Sequence, residues 1–196
     1  MCVYNKIVPE VRPMKEKVAI IVVDMLNDFV YGALKCDRGL TTIEPNKRLL
    51  ASARKHHIPV IFSNDAHHKG IDHELKKWGD HAILGTPGAE VIPELDLQAS
   101  DYVVPKKRYS GFFHTDLDLL LRELGITTVI LTGLHTHMCV RHTAADAYQN
   151  GFKVLIASDA TDSFTAEDYE SGLKYLQDVY DAEVYTVDEL IKQFEA

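Results

Sequence analysis

The amino-acid sequence predicts an α/β fold in which helices cover both faces of a mainly parallel sheet. Four short apolar runs bounded by turn residues have the composition of buried strands: VAIIVVD (18–24), PVIFSND (59–65), TVILTG (128–133) and KVLIASD (153–159). Two weaker candidates, residues 101–106 and 182–187, bring the number of predicted strands to six. Helical patterns separate these runs, and this alternation indicates βαβ units with right-handed crossovers.

The helices are predicted from apolar spacing and from residues that begin or end a helix. Four leucines within residues 117–124 fall at i, i+3, i+4 and i+7, with Thr115 placed to cap this helix and Gly125 to end it. A second helix is predicted from about Met138 to Asn150, with Gly151 as its left-handed cap. Three further helices are predicted over residues 45–57, 166–179 and 187–194.

Composition indicates one globular domain over residues 1–196, with residues 1–16 as a short leader arm. The net charge of −8 argues against a general nucleic-acid binder, because phosphate affinity needs a basic face. No stretch reaches the roughly 18 apolar residues of a membrane span. Three cysteines (Cys2, Cys36 and Cys139) are too few for a disulfide framework, which favours a reducing environment, and we expect a cytoplasmic protein.

The candidate nucleophile is Cys139, at the end of the segment GLHTHMC (133–139) that follows a predicted strand. Ligands of open α/β sheets bind beyond the carboxyl ends of the strands. Because Cys139 lies where a helix is predicted to begin, backbone N–H groups and the helix dipole favour its thiolate. The alternative is that Cys139 is a small buried apolar residue. Cys2 and Cys36 lack this setting, and we interpret them as structural.

Asp24 and Lys106 are the candidate partners of this thiol, since both lie at strand ends on the same edge of the predicted sheet. A carboxylate beside a cationic lysine stays ionised and can accept a proton, while the lysine stabilises developing charge. Each residue also has a simpler interpretation. Asp24 could cap a loop or helix, and Lys106 could be a solvated charge within the run KKR.

Four of the ten histidines lie in the long connection 65–100, where a metal site is predicted. Asp65 and His67 are two residues apart in an extended segment and therefore point to the same side, and His81 lies across the loop. One Asp and two His suit Zn²⁺, Mn²⁺ or Fe²⁺, with Glu74 available as a fourth oxygen donor. Two further loop histidines are rival ligands: His68 and His73. The alternative is that all of these histidines are solvated.

These residues occur in motifs that resemble the isochorismatase-like cysteine hydrolases and, within that family, the nicotinamidases. The resemblance covers nearly the whole chain, through VAIIVVDMLNDF (18–29), DAH (65–67), WGDHAILGTPGAE (78–90), KKRYSGFFHTDLDLLL (106–121) and GLHTHMCVRHTAADAYQNGFKVLIASDA (133–160). It implies a three-layer αβα sandwich with a six-stranded parallel sheet. It also implies a homo-oligomer, a dimer or a tetramer.

The resemblance implies a catalytic triad of Asp24, Lys106 and Cys139. Lys106 is chosen over Lys107 because the lysine of the family stands three residues before the position that Tyr109 matches. It further implies a divalent metal, commonly zinc, held by the residues that match the family's ligands: Asp65, His67, His81 and, in some members, Glu74.

Other positions match the substrate pocket of the family. Aromatic rings surround a flat pyridine there, and the matching residues are Phe29, Trp78 and Tyr109. The family also has a non-proline cis peptide, which here joins Leu134 to His135. The backbone N–H groups of His135 and Cys139 would then form an oxyanion hole.

The function implied by the resemblance is hydrolysis of a small amide, nicotinamide to nicotinate and ammonia, through a thioester on the cysteine. Asn64 and Ala66 stand where nicotinamidases often have Arg and Trp, and His135 and His137 stand where small or acidic residues are common. These differences leave the triad intact but open the choice of substrate. The alternatives are another small amide or ureido compound (N-carbamoylsarcosine, biuret or ureidoacrylate) and a non-catalytic binding module on the same fold.

Overall fold

The computed structural model describes residues 16–196, so Cys2 and, apart from Glu16, the predicted leader arm lie outside the described residues. Six strands form a single sheet in the order β3-β2-β1-β4-β5-β6, and every neighbouring pair is parallel. The strands are β1 (Val18–Val23), β2 (Val60–Asp65), β3 (Tyr102–Lys106), β4 (Thr128–Leu134), β5 (Lys153–Asp162) and β6 (Glu183–Tyr185). The predicted α/β class and its six strands are confirmed.

Seven α-helices accompany this sheet within residues 16–196. They are α1 (Asn27–Val30), α2 (Ile43–Lys55), α3 (Leu75–Trp78), α4 (Leu117–Glu123), α5 (Arg141–Gln149), α6 (Ala166–Tyr180) and α7 (Val187–Glu195). Three short 3₁₀ turns cover Asp37–Thr42, Pro87–Ala89 and Pro93–Leu95. Within this described part, no helix has both the length and the apolar character needed to cross a membrane.

The sheet is the middle layer of three, because successive side chains of a strand face opposite sides. On β1, Ile20 and Val22 pack in one core, which includes residues of α1, α2 and α7. Ile21 and Val23 pack in a second core with residues of α4, α5 and α6. All four side chains are fully buried, which explains why this strand is apolar without interruption. The predicted αβα sandwich is confirmed.

Two local predictions need correction. Helix α4 begins at Leu117 with Asp116 at the N-cap position, so Thr115 is not its cap, although the Thr115 hydroxyl accepts a hydrogen bond from the Leu117 N–H (3.2 Å). The helix expected from Met138 is α-helical only from Arg141, and a π-helical turn, Thr136–Val140, precedes it. We call Thr136–Val140 the nucleophile turn. It contains Cys139, which therefore does not lie in the first turn of an α-helix.

The strand order brings the predicted functional residues to one edge of the sheet. Asp65 and Lys106 end neighbouring strands and are paired in register. Asp24 follows the adjacent β1 with a left-handed backbone (φ 51°), a conformation that Asp tolerates better than most residues. The nucleophile turn follows β4, on the other side of β1. Four adjacent strands thus bring two carboxyl groups, an ammonium group and a thiol to one place.

Gly133 keeps β1 and β4 close at this edge. Its φ is +90°, and a Cβ there would lie 2.0 Å from the carbonyl oxygen of Val23. We expect Gly133→Ala to lower the free energy of unfolding by at least about 3 kcal/mol, because the cost of a left-handed backbone at Ala and the cost of the clash with the Val23 carbonyl add together. Urea denaturation measures this loss.

Gly151→Ala is the matched control, since Gly151 is also left-handed (φ +81°), but a Cβ added there would meet no atom of the described residues within 4 Å. It should cost only about 1–2 kcal/mol, the conformational penalty alone. Equal losses for the two variants would contradict the steric argument.

Candidate active site

The centre of the site is the ammonium group of Lys106, held between two carboxylates. Its Nζ lies 2.7 Å from Oδ2 of Asp24 and 2.6 Å from Oδ1 of Asp65. The two carboxylates are also joined directly, because the backbone N–H of Asp65 donates to Oδ1 of Asp24 (2.7 Å). All three residues are at most 2% exposed. The structure therefore brings together the Asp and Lys of the predicted triad with the first predicted metal ligand.

One buried ammonium is thus paired with two buried carboxylates, and the pKa values of the two carboxyl groups shift in opposite directions. Burial and the charge of Asp65 raise the pKa of Asp24 to about 7, against the opposing effect of Lys106. Burial also acts to raise the pKa of Asp65, but the charges of Lys106 and His67 outweigh it and the pKa is lowered. The pKa of Lys106 rises well above its usual range, because the two carboxylates outweigh the effect of burial. Asp24 can therefore exchange a proton near neutral pH.

Cys139 completes the group: it is 2% exposed, and it lies close enough to Lys106, Asp24 and Asp65 for their charges to act on its thiol. Burial raises the pKa of this thiol well above its usual range, and the nearby charge of Lys106 only partly opposes the effect. The expectation that the start of a helix favours the thiolate is therefore wrong for the resting protein. Such a thiol needs a base to become a nucleophile, and the carboxylate of Asp24 is the candidate, with its Oδ2 already paired with Nζ of Lys106 at 2.7 Å.

Asp65, His67 and His81 form a second group, which we call the His–Asp cluster. One ligand-type atom from each of the three buried residues lies within 4.8 Å of the others. Oδ2 of Asp65, the oxygen not bonded to Lys106, is 3.5 Å from Nε2 of His67 and 3.9 Å from Nε2 of His81. The predicted set of one Asp and two His is therefore assembled.

The residues of the His–Asp cluster fit a divalent metal ion. The Nδ1 of His67 is hydrogen-bonded to Asp72 (3.1 Å) and that of His81 to the carbonyl of Gly79 (2.8 Å), so each ring is oriented with Nε2 towards Asp65. Nε2 of His67 is buried without a hydrogen-bond partner among the described residues. A cation here would also balance the excess buried carboxylate.

The other predicted ligands differ in position. Glu74 is buried, and it lines the same pocket as Asp65 and His81, but it is not one of the three residues of the cluster. His68 and His73 are both exposed and lie outside the cluster. The rival assignments are therefore not supported, and ligation by Glu74 stays a prediction.

Cys139 and two residues of the His–Asp cluster, Asp65 and His81, line one pocket with an aromatic wall. Its lining residues are Phe29, Leu34, Asp65, Glu74, Trp78, His81, Tyr109, His135, Met138, Cys139 and Phe164. All three aromatic residues predicted for substrate contact are among them, and Nε1 of Trp78 donates a hydrogen bond to the hydroxyl of Tyr109 (3.0 Å). Phe29 meets the ring of His81 edge-on, with centroids 5.7 Å apart.

The peptide bond between Leu134 and His135 is cis, as predicted. His135 and Cys139, whose backbone N–H groups are the predicted oxyanion hole, both line the pocket. The oxyanion-hole role itself stays a prediction.

Three residues of the site were not predicted from the sequence. Phe164 stacks on His135 and comes from the segment after β5. Asp28 accepts a hydrogen bond from the N–H of Ala82 (2.8 Å) and so holds the loop that carries His81. Asp72 orients His67. Asp72 could have been predicted as a partner of a histidine, because it is an acidic residue within a histidine-rich loop. No local sequence pattern predicts that Phe164 lies in the pocket.

Comparisons with known proteins find similar proteins over most of the chain. A model of the isochorismatase domain matches residues 18–189. Nicotinamidase 3 of Arabidopsis thaliana is 34% identical over 170 residues, which are 84% of this chain and 82% of that protein. The N-carbamoylsarcosine amidase structure from Thermoplasma acidophilum has 39% identity and a TM-score of 0.82, covering 88% of this chain and 97% of that one. The pyrazinamidase structure of Pyrococcus horikoshii in complex with zinc has 30% identity and a TM-score of 0.81, covering 87% and 99%.

The His–Asp cluster leads to a prediction about metal content. After incubation with zinc and dialysis, elemental analysis should find about one zinc per chain. His67→Ala should lose most of it, since even the loss of a residue that only orients a ligand weakens metal sites about tenfold or more. His68→Ala is the matched control, because His68 is the exposed neighbour of His67. Equal zinc content in the two variants would contradict the assignment.

Proposed function

The chain belongs to the isochorismatase family and is a hydrolase of amide C–N bonds, and we propose that its substrate is nicotinamide, converted to nicotinate and ammonia. One observation carries the proposal: Cys139 lines the same aromatic-walled pocket as Asp65 and His81 of the His–Asp cluster. A thiol supplies a nucleophile for the amide carbon. The cluster and the aromatic rings can orient a flat heteroaromatic substrate in the pocket.

In the proposed first half of the reaction, the ionised form of Asp24 takes the proton of the Cys139 thiol. The thiolate attacks the amide carbon, and the negative charge on the oxygen is stabilised by the backbone N–H groups of His135 and Cys139. The C–N bond then breaks, and the proton on Asp24 passes to the departing nitrogen, which leaves as ammonia. The pKa of about 7 for Asp24 suits both transfers.

In the second half, Asp24 removes a proton from a water molecule, which attacks the carbonyl carbon of the thioester. The C–S bond breaks, the sulfur of Cys139 takes the proton held by Asp24, and the nicotinic acid that is released loses a proton to solvent to become nicotinate. Lys106 keeps its charge throughout, because its pKa is raised well above the usual range. A divalent metal ion, zinc or alternatively manganese or iron, would be held by Asp65, His67 and His81 and would act as a Lewis acid towards the ring nitrogen of the substrate.

Nicotinamide is favoured over anionic substrates by the charges of the pocket. None of the described residues that line it is Lys or Arg, whereas Asp65 and Glu74 both contribute carboxyl groups. The buried ammonium of Lys106 is already paired with Asp24 and Asp65. A substrate carboxylate would therefore be buried without a cationic side chain as its partner, which costs free energy. An uncharged amide does not have this cost.

A second candidate keeps the same triad and chemistry but acts on N-carbamoylsarcosine or a related ureido compound, such as biuret or ureidoacrylate. It is favoured by the 39% identity to the Thermoplasma acidophilum amidase and by residues Asn64, Ala66 and His135, which differ from the usual nicotinamidase pattern. The cytoplasmic location and the dimeric or tetrameric state stay predictions from the sequence.

Ammonia release tests the substrate and the nucleophile together. The zinc-loaded protein should release ammonia from nicotinamide and pyrazinamide with a higher kcat/KM than from N-carbamoylsarcosine or biuret. Cys139→Ala should reduce the rate at least about a thousandfold, because removing a nucleophile removes the covalent route.

Cys36→Ala is the matched control for this experiment. Cys36 is also buried and free, but its Sγ contacts the carbonyl of Ser163 (3.4 Å) outside the pocket, so its removal should leave the rate close to that of the wild type. A higher kcat/KM for N-carbamoylsarcosine than for nicotinamide would contradict the proposed substrate and support the second candidate. A Cys139→Ala protein with full activity would refute the mechanism.

A further inference from the structure

The side chain of His135 is a polar group of the pocket that neither the proposed mechanism nor the His–Asp cluster uses. It is 1% exposed, and it lines the pocket beside Cys139. Its Nε2 atom is buried and has no hydrogen-bond partner among the described residues. Burying such an atom without a partner costs free energy, and buried polar atoms are rarely left unpaired without a functional reason.

Neighbouring rings fix the position of this imidazole. It stacks on Phe164, with centroids 4.0 Å apart and an interplanar angle of 26°. It also packs against Phe29 at 5.9 Å, and Phe29 in turn contacts His81 of the His–Asp cluster at 5.7 Å. Phe29 therefore contacts both His81 and His135, and all three residues line the same pocket.

We infer that His135 is a specificity-determining residue whose Nε2 forms a hydrogen bond with an uncharged polar atom of the amide substrate. The inference rests on the proposed function and deepens it, since it assigns a second polar contact to the substrate pocket. Burial and the nearby His137 lower the pKa of His135 to about 3, so the ring is neutral at pH 7 and offers no charge to a carboxylate. The contact thus favours substrates that carry a polar atom at this position.

A purely structural role makes a different prediction for stability. If Nε2 had a partner within the protein, replacing His135 by a ring of similar size would break a buried hydrogen bond and lower Tm. If Nε2 is unpaired until substrate binds, His135→Phe keeps the stacking on Phe164 and removes an unpaired polar atom. Tm should then be unchanged or higher.

The test compares four proteins in steady-state kinetics with nicotinamide: wild type, His135→Phe, His135→Gln and His137→Phe. We expect His135→Phe to raise KM about fivefold with kcat within about twofold, since a neutral hydrogen bond made equally in ground and transition states affects KM alone. His135→Gln keeps a neutral hydrogen-bonding group and should recover most of this loss.

His137→Phe is the matched control, because the same change is made two residues away. The ring of His137 does not line the pocket, and its Nδ1 is already paired with the hydroxyl of Ser163 (2.9 Å). KM for nicotinamide should stay within about twofold of the wild type, whereas loss of this partly buried pairing should lower Tm.

Failure of the inference and failure of the proposed function are distinguishable. If the wild type hydrolyses nicotinamide and His135→Phe has the same KM, or if His135→Gln is no better than His135→Phe, the inference is overturned and the function stands. If the wild type hydrolyses a different amide of the panel, the proposed substrate fails, and the same four proteins are compared on that amide. A clear fall in Tm for His135→Phe overturns the inference whatever the substrate.

Discussion

The buried ammonium of Lys106, shared between Asp24 and Asp65, is the contact on which the rest of the site depends. The charge of Asp24 acts on the Cys139 thiol, and Asp65 belongs to the His–Asp cluster. Ions buried as deeply as these are tolerated only when each has a partner, so the position of one constrains the others. The proposed nucleophile and the proposed metal site are therefore parts of one charge network and not two independent sites.

The sheet determines where this network lies. Asp65 and Lys106 are paired in register at the ends of neighbouring strands, and Asp24 lies beside them at the end of β1. Close approach of β4 to β1 at Gly133 brings the nucleophile turn to the same edge. The groups that would perform the chemistry thus stand on the rigid sheet edge and the turn after it, while the pocket wall is built from loops and short helices, where substrate preference can change without moving the triad.

Much of the fold and most of the site could be predicted from the sequence because strand ends of a parallel sheet meet at one edge. That rule alone is enough to bring Asp24, Asp65 and Lys106 together. The ionisation of Cys139 could not be predicted in this way, because burial, which raises its pKa, depends on tertiary packing. Phe164 could not be predicted for a similar reason: it reaches the pocket from a segment distant in sequence, and only the fold brings it to His135.

A double-mutant cycle on the free energy of unfolding tests the shared ammonium most directly. Asp24→Asn and Asp65→Asn each leave Lys106 one buried carboxylate, whereas the double variant leaves the ammonium buried without an ionised partner. In metal-free protein, urea denaturation should therefore give a double variant less stable than the sum of the single changes by at least about 2 kcal/mol. Additivity within about 0.5 kcal/mol would contradict the account, since independent sites behave in that way.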